Sequence, residues 1–226
     1  SIFTLKTSNI THPRQLVGKT LGAPVFDASY KLFPAFAKAI GIDHTKVIRK
    51  NMDPRLREAM LKRGEVDTIS GHVFSSMLNL KAMGVKESDV RFFMYGDYGM
   101  ASYGNGVAVS PKFMKAHPKA VSGFIRATIK AARDTVLRPE MAIAATKKFE
   151  PLIDEAIERD RLRLGIKCCI LTPNVKKNGY GGVDMDRLDR SIGQAALAFG
   201  LKRKPTAKDM FTSRFLPPKE QRMIHK

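Results

Sequence analysis

The first residues that could bind a ligand lie between a short apolar stretch and a predicted helix. Residues 20–23 (TLGA) favour a strand, and a helix is predicted from Ala28 onwards. Phe26, Asp27 and Ser29 lie at this junction. The first amides of a helix have no partner within it and can bind an anion. Asp and Ser also serve as N-caps, worth about 1 kcal/mol to a helix, so a ligand site and a plain cap both stay open.

A second candidate follows the predicted strand at residues 66–70 (VDTIS). Ligands of open α/β sheets bind outside the carboxyl ends of the strands, which is where Ser70, Gly71 and His72 are expected. Gly71 lets another group approach the backbone closely. His72 could donate or accept a hydrogen bond, although a single histidine is more often structural. The sequence predicts these three residues as ligand contacts.

A third candidate lies in residues 95–105 (YGDYGMASYGN), between a predicted strand and the segment that follows it. Tyr98 and Tyr103 could stack on a planar ring, and Asn105 could hydrogen-bond to it. Loops carry binding residues more often than their share of the chain suggests. Packing of the loop itself is the competing explanation for the same aromatic residues.

Catalytic and metal sites receive little support from the residue pattern. No nucleophile elbow, glycine-rich phosphate loop or cluster of metal ligands is present. Glu155, Glu158 and Asp160 fall on a charged, solvated helix. Cys168 and Cys169 are adjacent, with Cα atoms about 3.8 Å apart, closer than the range of about 4.4–6.8 Å usual in disulfides. We expect no catalytic residue, no metal and no cofactor.

The chain is strongly basic, with 40 Lys and Arg against 21 Asp and Glu and a net charge of +19. Such a balance suits nucleic acid, an anionic surface or acidic small molecules. The basic residues are scattered, however, and aromatic residues are not interleaved with them as a nucleic-acid surface would need. We therefore interpret the charge as a solvated surface and expect no nucleic-acid partner.

The length of 226 residues favours one or two domains with a sizeable core. No run of 18 apolar residues is present. Residues 1–6 (SIFTLK) lack the pattern of a signal peptide, and the first residue is not Met. We expect either a processed chain or one whose beginning is missing.

Up to about residue 110, predicted strands alternate with helices. This order implies crossover units on a mainly parallel sheet. The strands are predicted at residues 2–5, 20–23, 47–50, 66–70, 90–95 and 106–109. The helices are predicted at residues 28–40, interrupted or started late by Pro34, at 54–63 behind the N-cap Asp53, and at 73–83.

After residue 110 the predicted elements are helical. Helices are expected at residues 118–137, 139–149, 153–164 and 185–199, with a loop at 176–183 and an irregular tail at 211–226. Their apolar stripes have no sheet of their own. They must pack on the first part or on residues outside this chain.

Three segments carry a resemblance to a known family. They are residues 10–22 (ITHPRQLVGKTLG), 57–67 (REAMLKRGEVD) and 105–114 (NGVAVSPKFM). In this order, and with the closing FLPP at 215–218, they resemble extracytoplasmic solute-binding proteins of ABC transporters. The group is that of sulfonate, nitrate and thiamine precursors, which also includes pyrimidine-precursor synthases.

The resemblance implies an α/β periplasmic binding protein fold of the second type, with two lobes. Residues 1–11 would be a hinge strand, 12–104 the second lobe, and 105–226 the crossover strand and the C-terminal helices of the first lobe. About a hundred residues of the first lobe would then precede Ser1.

The resemblance also implies a function. The chain would capture a small anionic or heteroaromatic solute outside the cytoplasm and deliver it to an ABC-type permease, in an oligomeric state that the sequence leaves open. The synthases of the family carry a cysteine-rich run near the crossover strand, but residues 101–106 (ASYGNG) contain no cysteine. An enzyme is therefore the second hypothesis, and a nucleic-acid binder the third.

Overall fold

A computed structural model describes residues 1–224. Its residues group into two units, which are described separately. The first comprises Ser1–Ser102 and Asp189–Pro205, and the second comprises Tyr103–Leu188 and Thr206–Lys226.

The first unit is built on a sheet of five short strands. They are β1 (Ile2–Leu5), β2 (Thr20–Ala23), β3 (Ile48–Asn51), β4 (Thr68–Ser70) and β5 (Val90–Phe93). Their order across the sheet is β3-β2-β4-β1-β5. β2 runs parallel to β3 and to β4, whereas β1 runs antiparallel to β4 and to β5. The sheet is therefore mixed: the α/β class is confirmed, and the predicted parallel pairing occurs among β3, β2 and β4.

Four helices accompany this sheet: α1 (Ala28–Lys31), α2 (Phe33–Ile40), α3 (Arg57–Lys62) and α4 (Val73–Ala82). The predicted interruption near Pro34 is confirmed, since α1 and α2 are separated at Leu32 and Pro34 lies in the first turn of α2. Short 3-10 helices occur at Lys6–Ser8, Pro13–Leu16, His44–Lys46, Glu87–Asp89 and Tyr95–Tyr98.

The main core of the first unit lies between the sheet and α1–α2. Ile2, Leu21 and Ala23 on the strands meet Phe33 and Phe36 of α2, all essentially inaccessible to solvent. Phe33, Phe36, Ala37 and Ile40 recur at helical spacing, which puts them on one face of α2. Gly41 then ends the helix with a φ of 75°.

The second unit consists of helices in the part of the chain that the structure describes. They are α5 (Pro111–Ala116), α6 (Pro118–Leu137), α7 (Pro139–Phe149), α8 (Glu155–Gly165), a π-helical turn (Ile166–Ile170), α9 (Pro173–Asn178), the first turn of α10 (Met185–Phe199), α11 (Ala207–Met210) and α12 (Lys219–Arg222). One apolar cluster joins Ala132 and Val136 of α6 to Ile224. The bounds predicted for α6 and α7 are confirmed.

Several predicted elements were wrong. Residues 106–109 form no strand, because a strand needs a partner and the described part of the second unit offers only helices. The helix predicted from Pro54 begins at Arg57, since residues 54–56 form a turn in which Asp53 accepts from the Arg55 amide. Residues 176–178 of the predicted loop are helical.

The described residues of the predicted tail contain one short helix, α12, and the tail's residues 225 and 226 lie outside the described residues. The units also differ from the predicted division after residue 104, because residues 189–205 group with the sheet. The Gln194 amide bonds to Ala101 N and Gly99 O, and Ala198 packs on the main core. The assignment of the units to lobes and of residues 1–11 to a hinge stays a prediction.

Candidate functional site

Three parallel strands of the first unit end at the same edge of the sheet. β2, β3 and β4 finish at Ala23, Asn51 and Ser70, and the loops that follow lead into α1, α3 and α4. The Asn51 side chain accepts a hydrogen bond from Val25 N at 3.2 Å, which ties two of these loops together. We call the edge formed by the carboxyl ends of these strands the carboxyl edge. Six of the nine predicted site residues lie there: Phe26, Asp27, Ser29, Ser70, Gly71 and His72.

Asp27 is the N-cap of α1. Its Oδ1 accepts from Ser29 N at 2.7 Å and from Tyr30 N at 3.2 Å. The two amides that could have held an anion are therefore occupied by a carboxylate of the protein itself. Ser29 is buried, and its backbone amide is one of the two that Asp27 caps. The role of its side chain as a ligand contact stays a prediction.

The second oxygen of Asp27 faces Arg57, a residue that the sequence prediction did not include. Arg57 Nη1 lies 3.3 Å from Asp27 Oδ2, and its Nη2 lies 2.8 Å from Glu58 Oε1 and 3.2 Å from Ser76 Oγ. Glu58 is 2% exposed. We call these four residues the Arg57 cluster. The only sequence signal was an Arg-Glu pair at the start of a predicted helix, which is common on solvated surfaces.

Ser70 and Gly71 pack closely at the end of β4. The Ser70 side chain is fully buried, and its hydroxyl has no hydrogen-bond partner among the described residues. A Cβ added to Gly71 would lie 2.2 Å from Ser76 Oγ and 3.4 Å from Arg57 Cζ. The absence of a side chain at Gly71 thus allows the β4 end to lie against the Arg57 cluster, and its carbonyl accepts from Ser1 Oγ at 2.8 Å.

Two predicted residues at this edge are exposed. Phe26 is 68% exposed, directly before the buried cap of α1. His72 precedes α4, and its ring stacks on that of Phe74 with centroids 5.5 Å apart and an interplanar angle of 16°. Both side chains are accessible to a ligand.

Tyr98 packs mainly within the first unit. Its ring makes edge contacts with His12, Phe36 and Phe93 at centroid distances of 5.5 to 6.2 Å. Tyr95 is the more deeply placed tyrosine: its hydroxyl donates to Ser29 O at 2.7 Å and its ring stacks on Phe36. Burial raises the pKa of Tyr95 well above its ordinary value. A link from this loop to the start of α1 was not predicted from sequence.

Tyr103 and Asn105 belong to the second unit. The Tyr103 hydroxyl accepts from Asp184 N at 2.9 Å, and the Arg187 guanidinium lies 4.2 Å from the centre of its ring. Tyr103 therefore holds the start of α10 within its own unit, and Asn105 is exposed. Their predicted contact with a ligand stays a prediction.

No group of three or more metal-ligating side chains occurs within residues 1–224. Cys168 and Cys169 lie in the π-helical turn and form no disulfide. Among the described helices, none is long and apolar enough to cross a membrane. Two clefts of about 300 and 450 Å³ lie in the helical unit, and no predicted site residue lines them.

Comparison with known proteins identifies relatives of this chain. The formylaminopyrimidine-binding protein of Halalkalibacterium halodurans is 24% identical over 220 residues, which cover 94% of this chain and 64% of the relative. The crystal structure of the periplasmic aliphatic sulphonate binding protein from Escherichia coli matches with a TM-score of 0.67 and 16% identity, over 98% of this chain and 64% of that one.

The periplasmic sulfonate-binding protein from Methylobacillus flagellatus matches with a TM-score of 0.60 and 14% identity, over 95% of this chain and 63% of that one. The chain thus spans less than two thirds of the length of these relatives. At such identities the structural likeness shows the fold, which is that of periplasmic binding proteins. The sequence profile of the NMT1/THI5-like family matches residues 1–142, more than half of the 226. This chain belongs to the NMT1/THI5-like family.

Proposed function

We propose that this chain is the extracytoplasmic solute-binding protein of an ABC-type uptake system. The observation that carries the proposal is its similarity, along 94% of its length, to a protein named for binding a formylaminopyrimidine. Both structural relatives are likewise named as sulfonate-binding proteins. A small solute would be bound outside the cytoplasm and passed to a membrane permease.

The carboxyl edge of the sheet is the binding surface in this proposal. It presents the exposed ring of Phe26 and the imidazole of His72, with the half-buried Asp27 and the buried Ser70 and Gly71 beside them. Ligand sites combine apolar surface with a few well-placed polar groups, and this edge offers the exposed ring of Phe26 beside several polar side chains. Aromatic rings here would stack on a heterocycle, and the polar groups would fix its orientation.

The contacts of the acidic side chains favour a binding protein over an enzyme. Asp27 and Glu58 are both held by Arg57 rather than placed beside a nucleophile. A general base needs a proton to abstract within hydrogen-bond reach. The synthase members of the family keep an enzyme as the second candidate, which a turnover assay separates from a binding protein.

Isothermal titration calorimetry of the purified chain with a formylaminopyrimidine and with aliphatic sulfonates tests the proposal. We expect saturable binding of one of these solutes. Phe26→Ala should weaken it about 5- to 10-fold, because a stacked aromatic ring contributes on the order of 1 kcal/mol beyond its buried area. Ile48→Ala is the matched control, because Ile48 is 59% exposed in the same unit but lies at the amino end of β3.

Mass spectrometry of the incubated solute completes the test. An unchanged solute that is recovered quantitatively supports a binding protein. Formation of a new product would instead establish the enzyme. If neither solute class binds and no product forms, the proposed function is wrong.

A further inference from the structure

We infer that the carboxyl edge of the sheet takes an uncharged or cationic ligand that donates hydrogen bonds, with Ser70 Oγ and the Asp27 carboxylate as its contacts, rather than an anion. This inference rests on the proposed function and adds the chemical class of the solute. The overall charge of +19 would suggest the opposite. The charges and hydrogen bonds of the groups at the carboxyl edge favour a ligand that is not an anion.

The amides at the start of α1 are already used. Asp27 Oδ1 accepts from the amides of Ser29 and Tyr30. In α4, the amides of Ser75 and Ser76 donate to His72 O at 3.0 and 2.9 Å as the first bonds of the helix itself, and the His72 side chain provides no cap. An anion at a helix start needs free N–H groups. At the start of α1 it would have to displace a carboxylate of the protein.

The guanidinium of Arg57 is occupied as well. Its Nε and Nη2 donate to Glu58 Oε1, Nη2 also donates to Ser76 Oγ, and Nη1 faces Asp27 Oδ2. Four of its five N–H groups are thereby engaged, and two carboxylates surround one positive charge. The side chains of the Arg57 cluster carry a net charge of −1, which repels an anion and attracts a cation.

The Ser1 amine donates to Gly71 O at 3.0 Å and is a further basic group at this strand end. Burial lowers its pKa to about 6, so it is mostly uncharged at neutral pH and leaves the charge of the cluster in place.

Arg49, on β3, is another cation of the first unit. Its guanidinium lies 3.7 Å from the centre of the Tyr30 ring and donates to Tyr30 O at 2.9 Å. Tyr30 is one helical turn beyond Asp27, so this charge is held on the side of α1 rather than at its start. It therefore leaves the preference of the Arg57 cluster in place.

Ser70 supplies the independent observation. Its register places its side chain on the same face of the sheet as Ala23 and Ile2, the face on which α1 packs. The hydroxyl is fully buried and unpartnered within the described residues. Buried polar groups are nearly always hydrogen-bonded, and an exception calls for an explanation. A ligand group at the strand end would provide the missing partner.

Three aromatic probes of similar size test the class: 4-aminopyrimidine as a neutral donor, benzamidine as a cation and benzenesulfonate as an anion. By calorimetry, we expect a donor probe to bind at least about tenfold tighter than the sulfonate. Asp27→Asn retains an N-cap and removes one negative charge. It should weaken benzamidine binding and leave benzenesulfonate binding unchanged or stronger.

Ser70→Ala separates a ligand contact from a structural hydroxyl. We expect the unfolding midpoint not to fall, because the hydroxyl has no protein partner to lose, while donor affinity drops about fivefold. Thr68→Val is the matched control, since Thr68 is equally buried on the same face of β4 and donates to Thr20 O at 3.0 Å. It should lower the midpoint and leave affinity unchanged.

Tighter binding of benzenesulfonate, or an unchanged donor affinity in Ser70→Ala, would overturn this inference and leave the proposed function standing. If no probe binds, and the formylaminopyrimidine and the sulfonates also fail to bind, both are wrong.

Discussion

The carboxylate of Asp27 and the guanidinium of Arg57 meet at the carboxyl edge of the sheet, with Oδ2 and Nη1 3.3 Å apart, although the two residues are 30 positions apart in sequence. Both side chains are largely buried, at 14% and 12% exposure. This contact joins the start of α1 to the start of α3. It makes the local charge of the edge different from that of the basic surface around it.

Arg57→Gln should be strongly destabilising. Glu58 and Asp27 would stay buried without their common cation, and removal of one partner from a buried ion pair costs roughly 3 kcal/mol. The free energy of unfolding from urea denaturation measures this loss. Arg55→Gln is the control, because the Arg55–Asp53 pair is solvent-exposed and should contribute nothing measurable. Equal losses in the two variants would contradict a special role for the Arg57 cluster.

Gly71→Ala should destabilise the first unit by about 1–3 kcal/mol, the usual range for overpacking. The new Cβ would meet Ser76 Oγ at 2.2 Å, and that oxygen is fixed by Arg57. In a Ser76→Ala background the same change should cost less, since the nearest atom is gone, and a double-mutant cycle measures the difference. Gly96→Ala is the control because nothing lies within 4 Å of its added Cβ. Strictly additive effects would show that Ser76 is not the obstacle.

Tyr95→Phe should cost about 1 kcal/mol at neutral pH, because the hydrogen bond to Ser29 O is lost. Burial and, to a smaller extent, the charge of Asp27 raise the pKa of Tyr95 above 10.0 in the folded state. The unfolded chain then loses the phenol proton first, so stability falls as the pH rises beyond about 10.

This alkaline loss of stability should be smaller in Tyr95→Phe than in the original chain, as measured by urea midpoints between neutral pH and pH 11. Tyr98→Phe is the comparison, because it keeps the three ring-edge contacts of Tyr98. If Tyr95→Phe and the original chain lose stability in parallel above pH 10, the assignment to Tyr95 is wrong.

Gln194→Ala should loosen residues 99–101. The Gln194 side chain accepts from Ala101 N at 2.7 Å and donates to Gly99 O at 2.8 Å. Hydrogen exchange at the Ala101 amide should accelerate several-fold, since about 1 kcal/mol of local stability corresponds to roughly a fivefold change. Gln194→Glu keeps the acceptor and loses the donor, so its exchange rate should fall between those of the other two forms. An unchanged rate in both variants would contradict this role.

Much of the chain's organisation follows from local signals. Pro118 and Pro139 sit at first helical positions, and the apolar residues behind them recur at helical spacing, so the bounds of α6 and α7 could be predicted from sequence. The strands up to β5 were also predicted, within two residues, because each is short and bounded by turn or helix signals, although β3 (IRKN) is mostly polar. The candidate residues at the ends of β2 and β4 were found by the same rule.

Other features depend on contacts between distant residues. The local sequence of residues 106–109 predicts a strand, but these residues lack a partner strand in the described part of their unit. Residues 189–205 group with the sheet through Gln194 and Ala198, which helix periodicity does not reveal. The sequence by itself determined the α/β order and the edge at which a ligand is expected, because propensity and periodicity act over a few neighbours. Only the tertiary structure placed Arg57 between Asp27 and Glu58 and left the Ser70 hydroxyl unpartnered, because hydrogen bonding and local charge depend on which distant groups are brought within about 3 Å.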